Sequence, residues 1–107
     1  MFALVVRFAL FPEQARAFDA LMSRTVAGIR ADEPGTLVYV CCTVEDAPHA
    51  RLFMEVYADR AAFELHERTP ATMRFLTDRT TMIASSRVEF LTPYEYKLTG
   101  AAAQGPG

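Results

Sequence analysis

A chain of 107 residues and 11.9 kDa has material for one hydrophobic core, not two. Its composition, 51 % hydrophobic and 22 % charged, is that of a globular protein and excludes disorder over most of the length. A net charge of −2, a pI near 5.6 and scattered arginines leave no basic stripe, which argues against a nucleic-acid partner. The apolar opening, residues 1–11, has no charged leader, carries Arg7 in its middle and is too short to span a bilayer, so neither a signal peptide nor a membrane anchor is expected. Cys41 and Cys42 are neighbours in a strand, where their side chains point to opposite faces; two buried, reduced thiols in a cytoplasmic protein are expected.

Residues 2–11 form a strongly β-prone run that Pro12 ends. Pro12 suits the first turn of a helix, and Ala15, Phe18, Leu21, Met22, Thr25, Val26 and Ile29 then recur on one apolar helical face. Asp32-Glu33-Pro34-Gly35 stops that helix, with Pro34-Gly35 suited to the centre of a type II turn in which glycine takes a positive φ. Residues 36–44 and 50–58 read as a hairpin joined by a polar turn that holds His49. Asp59 is a good N-cap for a helix with Ala62, Phe63 and His66 on one side. Thr69-Pro70 restarts a further helix, whose stripe is Met73, Leu76, Thr80 and Ile83. Residues 87–93 read as a fourth strand. The order β-α-β-β-α-β predicts an α+β, ferredoxin-like domain over residues 1–98: a four-stranded antiparallel sheet with helices on one face. Residues 99–107 are expected to form a flexible tail.

Period-two alternation assigns faces. Leu4, Val6, Phe8 and Leu10 of the first strand, Leu52, Met54 and Val56 of the third, and Val88 and Phe90 of the fourth make a wholly apolar face for the helices. The other face sets Phe53, Tyr57 and Leu91 around Arg7, Glu55 and Glu89. A solvated face would be more polar, so a second copy of the chain is expected to cover it, making a homodimer.

His66 is the titratable group on the helix face that meets the sheet. Desolvation favours a neutral imidazole, able to accept a proton near physiological pH. The alternative is a core histidine bonded to a backbone carbonyl or a tyrosine. No second His, Cys or Asp stands at metal-ligand spacing on that helix face, so no metal site is expected. No nucleotide-binding glycine loop and no Ser-His-Asp arrangement can be read either.

The runs Glu33-Pro34-Gly35-Thr36-Leu37-Val38-Tyr39, Phe53-Met54-Glu55-Val56-Tyr57 and Ala62-Phe63-Glu64-Leu65-His66 occur in an order and spacing that resembles the antibiotic biosynthesis monooxygenase family, in particular its quinol-oxidising members. The resemblance spans about residues 2–93 and implies a dimeric α+β barrel of two sheets, with one pocket per subunit between helices and sheet. It implies oxidation of a quinol or polycyclic phenol by O2 with no cofactor: no flavin, haem or metal. It also implies His66 as catalytic base, with Val6, Phe8, Met54, Phe63, Met73 and Leu76 shaping an apolar slot for the aromatic substrate. Haem-degrading relatives use an Asn and a Trp, of which this chain has neither; the matching positions read as Val6, His66 and Leu76. The alternatives are a cofactor-free isomerase of a small metabolite using the same pocket, or a non-catalytic ligand-binding dimer.

Overall fold

The computed structural model describes residues 1–99. The expected tail, from residue 100 onward, lies outside the described residues. Four strands, β1 (Phe2–Leu10), β2 (Thr36–Val44), β3 (Ala47–Tyr57) and β4 (Ile83–Leu91), form one sheet in the order β2-β3-β1-β4. Every neighbouring pair is antiparallel. The helices are α1 (Ala15–Asp32), α2 (Arg60–Glu67) and α3 (Pro70–Asp78). The ferredoxin-like α+β architecture is therefore the one expected from the order of elements. None of the described helices is long and apolar enough to cross a membrane.

Local signals act mostly as the sequence predicts. A single 3-10 turn, Pro12–Gln14, leads into α1, which buries Phe18, Leu21, Met22, Thr25 and Ile29. Asp59 caps α2 by accepting from the Ala62 N–H, and Thr69 caps α3 by accepting from the Thr72 N–H. Other boundaries move. The hairpin turn shrinks to Glu45-Asp46, with Asp46 at φ 62°, a left-handed conformation that Asp tolerates, so His49 stands exposed on β3. β4 starts at Ile83 because its first residues pair with the end of β1, past a bulge at Ala9 and Leu10.

The faces of β3 are the reverse of those read from hydrophobicity. Directly opposed residues of antiparallel strands share a face. Leu4 opposes Glu55, Val6 opposes Phe53 and Phe8 opposes Arg51, so Arg51, Phe53, Glu55 and Tyr57 point under the helices. Leu52, Met54 and Val56 point away. Phe53 and Tyr57 supply the bulk the core needs, and Phe8, Phe18 and Phe53 pack ring against ring at centroid distances of 5.0–6.0 Å. The two charges are satisfied inside. Arg51 makes a bidentate pair with Asp19 of α1, at 2.9 Å for each bond, and donates to two backbone carbonyls. Glu55 accepts from the Tyr57 hydroxyl. A charged side chain is admitted to a core on such terms. The outward face consequently loses Phe53, Glu55 and Tyr57 and gains Leu52, Met54 and Val56 beside Val38, Val40 and Leu91. Cys41 is exposed and Cys42 half-buried, not buried as expected, because β2 is an edge strand.

Gly35 is needed for a reason other than the expected one. Its φ is not in the left-handed range; instead, a β-carbon there would lie 2.8 Å from the Ala62 β-carbon of α2. Backbone contact at this point holds the α1–β2 turn against α2. Gly35→Ala is expected to destabilise the fold by about 1–3 kcal/mol, measured by chemical denaturation at fixed protein concentration. Combined with Ala62→Gly it should lose less than the sum of the two single changes; strict additivity would contradict a steric origin.

Candidate active site

Two elements bring the site together. Glu33 closes α1 as its C-cap, its N–H donating to the Ile29 carbonyl, and the Glu33–Thr36 turn starts β2. His66 lies in the last turn of α2, one helical turn beyond Ala62. Because Gly35 lets this turn press on Ala62, the Glu33 carboxylate reaches the imidazole. His66 Nδ1 donates to Glu33 Oε1 at 2.6 Å, and Thr36 Oγ1 donates to the same oxygen at 2.8 Å. His66 and Glu33 are only 5 % and 8 % exposed, so the bond is made in a low-dielectric setting where it is strong and directional. Nδ1 therefore carries a hydrogen, and in the neutral ring Nε2 keeps its lone pair. Nε2 makes no hydrogen bond among the described residues. Glu33 Oε2 is buried and also has no partner among them.

A partly open cavity of about 130 Å³ lies against His66 between the helices and the sheet. Val6, Phe8, Phe63 and Leu76, four of the six residues expected to shape a slot, line it. Met54 and Met73 do not. Met54 is 43 % exposed on the far side of the sheet, as the inverted face of β3 requires. Met73 is 56 % exposed because α3 buries Thr72 and Phe75, three residues apart, and the next position rotates outward.

Four further residues matter to the cavity: Glu33, Tyr39 and Arg79, to which the sequence assigns no part in the site, and Glu55, which alternation assigns to the opposite face of the sheet. The Glu33 signal was present, since a buried histidine needs a hydrogen-bond partner. In the sequence Glu33 stands in a helix stop and at the start of the family-like run, neither of which assigns it a partner. Glu55 also borders the cavity, and burial pushes its carboxyl up, while the Tyr57 hydroxyl and nearby His66 pull it down. Burial raises the Tyr39 and Tyr57 phenols far above their ordinary value, so both stay protonated; their rings pack on His66 with centroids 5.6 and 5.3 Å away. The arrangement can take a proton at His66 Nε2 and hold a flat apolar guest beside it. Among the described residues no group of three His, Cys, Asp or Glu is placed to hold a metal ion.

No curated protein matches the chain. Solved structures do, at the level of fold. A protein of Bacteroides thetaiotaomicron, provisionally named an antibiotic biosynthesis monooxygenase, is 23 % identical with a TM-score of 0.85, covering 92 % of this chain and 94 % of its own. One of Caulobacter crescentus, named in the same provisional way, is 23 % identical with a TM-score of 0.83, covering 88 % and 90 %. A third, from Nitrosomonas europaea, is 18 % identical with a TM-score of 0.82, covering 89 % and 100 %. Residues 1–77 match the family model described as antibiotic biosynthesis monooxygenase, and the chain belongs to that family.

Proposed function

We propose that the protein is a cofactor-independent monooxygenase that oxidises a single-ring quinol with O2, using His66 as the base. The observation that carries this reading is the Glu33–His66 pair on the wall of an apolar cavity. Membership of a family of monooxygenases supports it. Cavity size favours a quinol over a polycyclic phenol, because about 130 Å³ is close to the ~150 Å³ that accommodates one benzene ring.

The chemistry then runs on the substrate's own electrons. His66 Nε2 takes a phenolic proton, and the imidazolium formed is stabilised through Nδ1 by Glu33. The phenolate passes one electron to O2, and the phenoxyl radical and superoxide recombine at a ring carbon. The peroxide takes the proton back from His66 and loses water. Hydroquinone plus O2 gives hydroxyquinone plus water, so one oxygen atom enters the ring and the other leaves as water. Val6, Phe8, Phe63 and Leu76 hold the ring flat and exclude solvent.

The same reading has the protein acting in the cytoplasm, where two unbridged thiols are at home, as a homodimer joined through its outward sheet face. Support for the dimer comes from that face: Val40, Met54 and Leu91 are each exposed by 40–43 %. The same face carries Arg7, Arg87 and Glu89, the last two paired at 3.2 Å, and the apolar patch beside them is of a kind rarely left to water.

A second reading, a proton-shuttling isomerase, is favoured by Glu55. A carboxyl pushed up by burial could return to one side of a substrate the proton that His66 removes from another.

Oxygen uptake with a hydroquinone panel tests the main reading. His66→Ala should lower the rate by about 10²–10⁴-fold, and Glu33→Gln should lose much of the same rate with the fold retained. Uptake indifferent to His66→Ala would overturn the assignment of the base, and turnover under strict anaerobiosis would favour the isomerase. For the dimer, Met54→Glu should shift sedimentation toward the monomer and lower the melting temperature. Native protein sedimenting as a monomer at micromolar concentration would contradict it.

A further inference from the structure

Arg79 stands at the cavity with no role in the chemistry above. It is the C-cap of α3, its backbone N–H donating to the end of that helix. The guanidinium carbon lies 5.5 Å from the Phe8 ring centroid and 5.3 Å from that of Phe75. It borders the cavity together with His66 and Glu55, and an outer hollow beside Ser85 and Ser86. Its side chain makes no ion pair and no hydrogen bond among the described residues. That contrasts with Arg51, the other inward arginine, whose guanidinium is fully engaged.

A half-buried guanidinium gives up hydration, and aromatic faces replace only part of what is lost. Burial lowers the Arg79 pKa, the sign of a cation short of compensation. The titratable acids facing it from neighbouring elements are the Tyr39 phenol of β2, which burial keeps protonated, and the carboxyls of Glu55 of β3 and Glu67 of α2. Neither carboxyl is in ion-pair contact with it. Glu55 is engaged by Tyr57 and held toward its neutral acid by burial, while Glu67 is exposed at the rim. The N–H donors of Arg79 are therefore open to a guest. A planar fork of donors suits a carboxylate, which it can hold through two parallel bonds.

We propose that Arg79 determines specificity in this cavity and that its substrate is a single-ring hydroxyarene carrying a carboxylate. The carboxylate is held by Arg79 while a ring hydroxyl meets His66, so the inference rests on the reading of His66 as the base. Phe8 contributes twice, as wall of the slot and as the surface on which the guanidinium rests. Arg79 also offsets the negative charge that appears on the ring when the hydroxyl proton leaves.

Calorimetric binding of hydroquinone, its carboxylate (gentisate) and methyl gentisate under anaerobic conditions tests this without needing turnover. Gentisate should bind about 10–100-fold more tightly than hydroquinone or the ester. Arg79→Met should bring gentisate down to the affinity of hydroquinone, and Arg79→Lys, which keeps the charge and loses the fork, should retain part of the preference. Circular dichroism establishes that each variant is folded. Equal affinity for acid and neutral ring, failure of all three to bind, or a preference that survives in folded Arg79→Met would overturn the proposal. Oxygen uptake is then scored separately. Gentisate bound through Arg79 without oxygen consumption sinks the monooxygenase reading and leaves the anion site; hydroquinone oxidation with no acid preference does the reverse.

Discussion

The hydrogen bond between His66 and Glu33 ties the end of α1 to the last turn of α2, and the site depends on it. Neither residue could be buried comfortably alone. An unpaired carboxylate in a core is strongly disfavoured, and an imidazole without a partner has no fixed orientation. Together, with Thr36 as a second donor to the same oxygen, they engage one ring nitrogen with Glu33 and leave the other without a hydrogen bond, on a ring that lines the cavity. The geometry reaches back to a steric condition. Only with no β-carbon at position 35 can the turn carrying Glu33 approach α2 as closely as it does.

The sheet answers a related problem. β3 turns two charged residues, Arg51 and Glu55, under the helices and three apolar ones outward. Each inward charge has its own arrangement: Arg51 is clamped by Asp19, whereas Glu55 is met by Tyr57. The first ties α1 to the sheet. The second leaves a carboxyl at the cavity, near the base. On the outer face Leu52, Met54 and Val56 take the place expected of Phe53 and Tyr57, so an apolar patch remains there in need of a cover. Core polarity and the proposed dimer are thus two consequences of one strand register.

Much of this was legible in the chain. The order of elements, the inward face of α1 and the caps at Asp59 and Thr69 follow from periodicity and local chemistry, and His66 stands out because Ala62 and Phe63 share its helix face. The face of β3 was not, because both of its period-two sets contain large hydrophobic groups and the choice turns on a partner 32 residues away, Asp19. Met73 was misplaced for a similar reason. A short helix shows too few turns for its stripe to be phased, and Thr72 is buried although it is polar. Glu33 was hidden in a turn motif that already had a sufficient explanation as a helix stop. Arg79 looks like any other arginine until its lack of partners is seen in three dimensions.

The central claim is that Glu33 holds His66 so that Nε2 is the free, basic nitrogen. Long-range nitrogen–proton correlation NMR on imidazole-labelled protein reads this directly. The account predicts that neutral His66 carries its hydrogen on Nδ1, with Nε2 unprotonated, and that this preference weakens in Glu33→Gln. A neutral His66 protonated on Nε2, or a tautomer unchanged by Glu33→Gln, would contradict it.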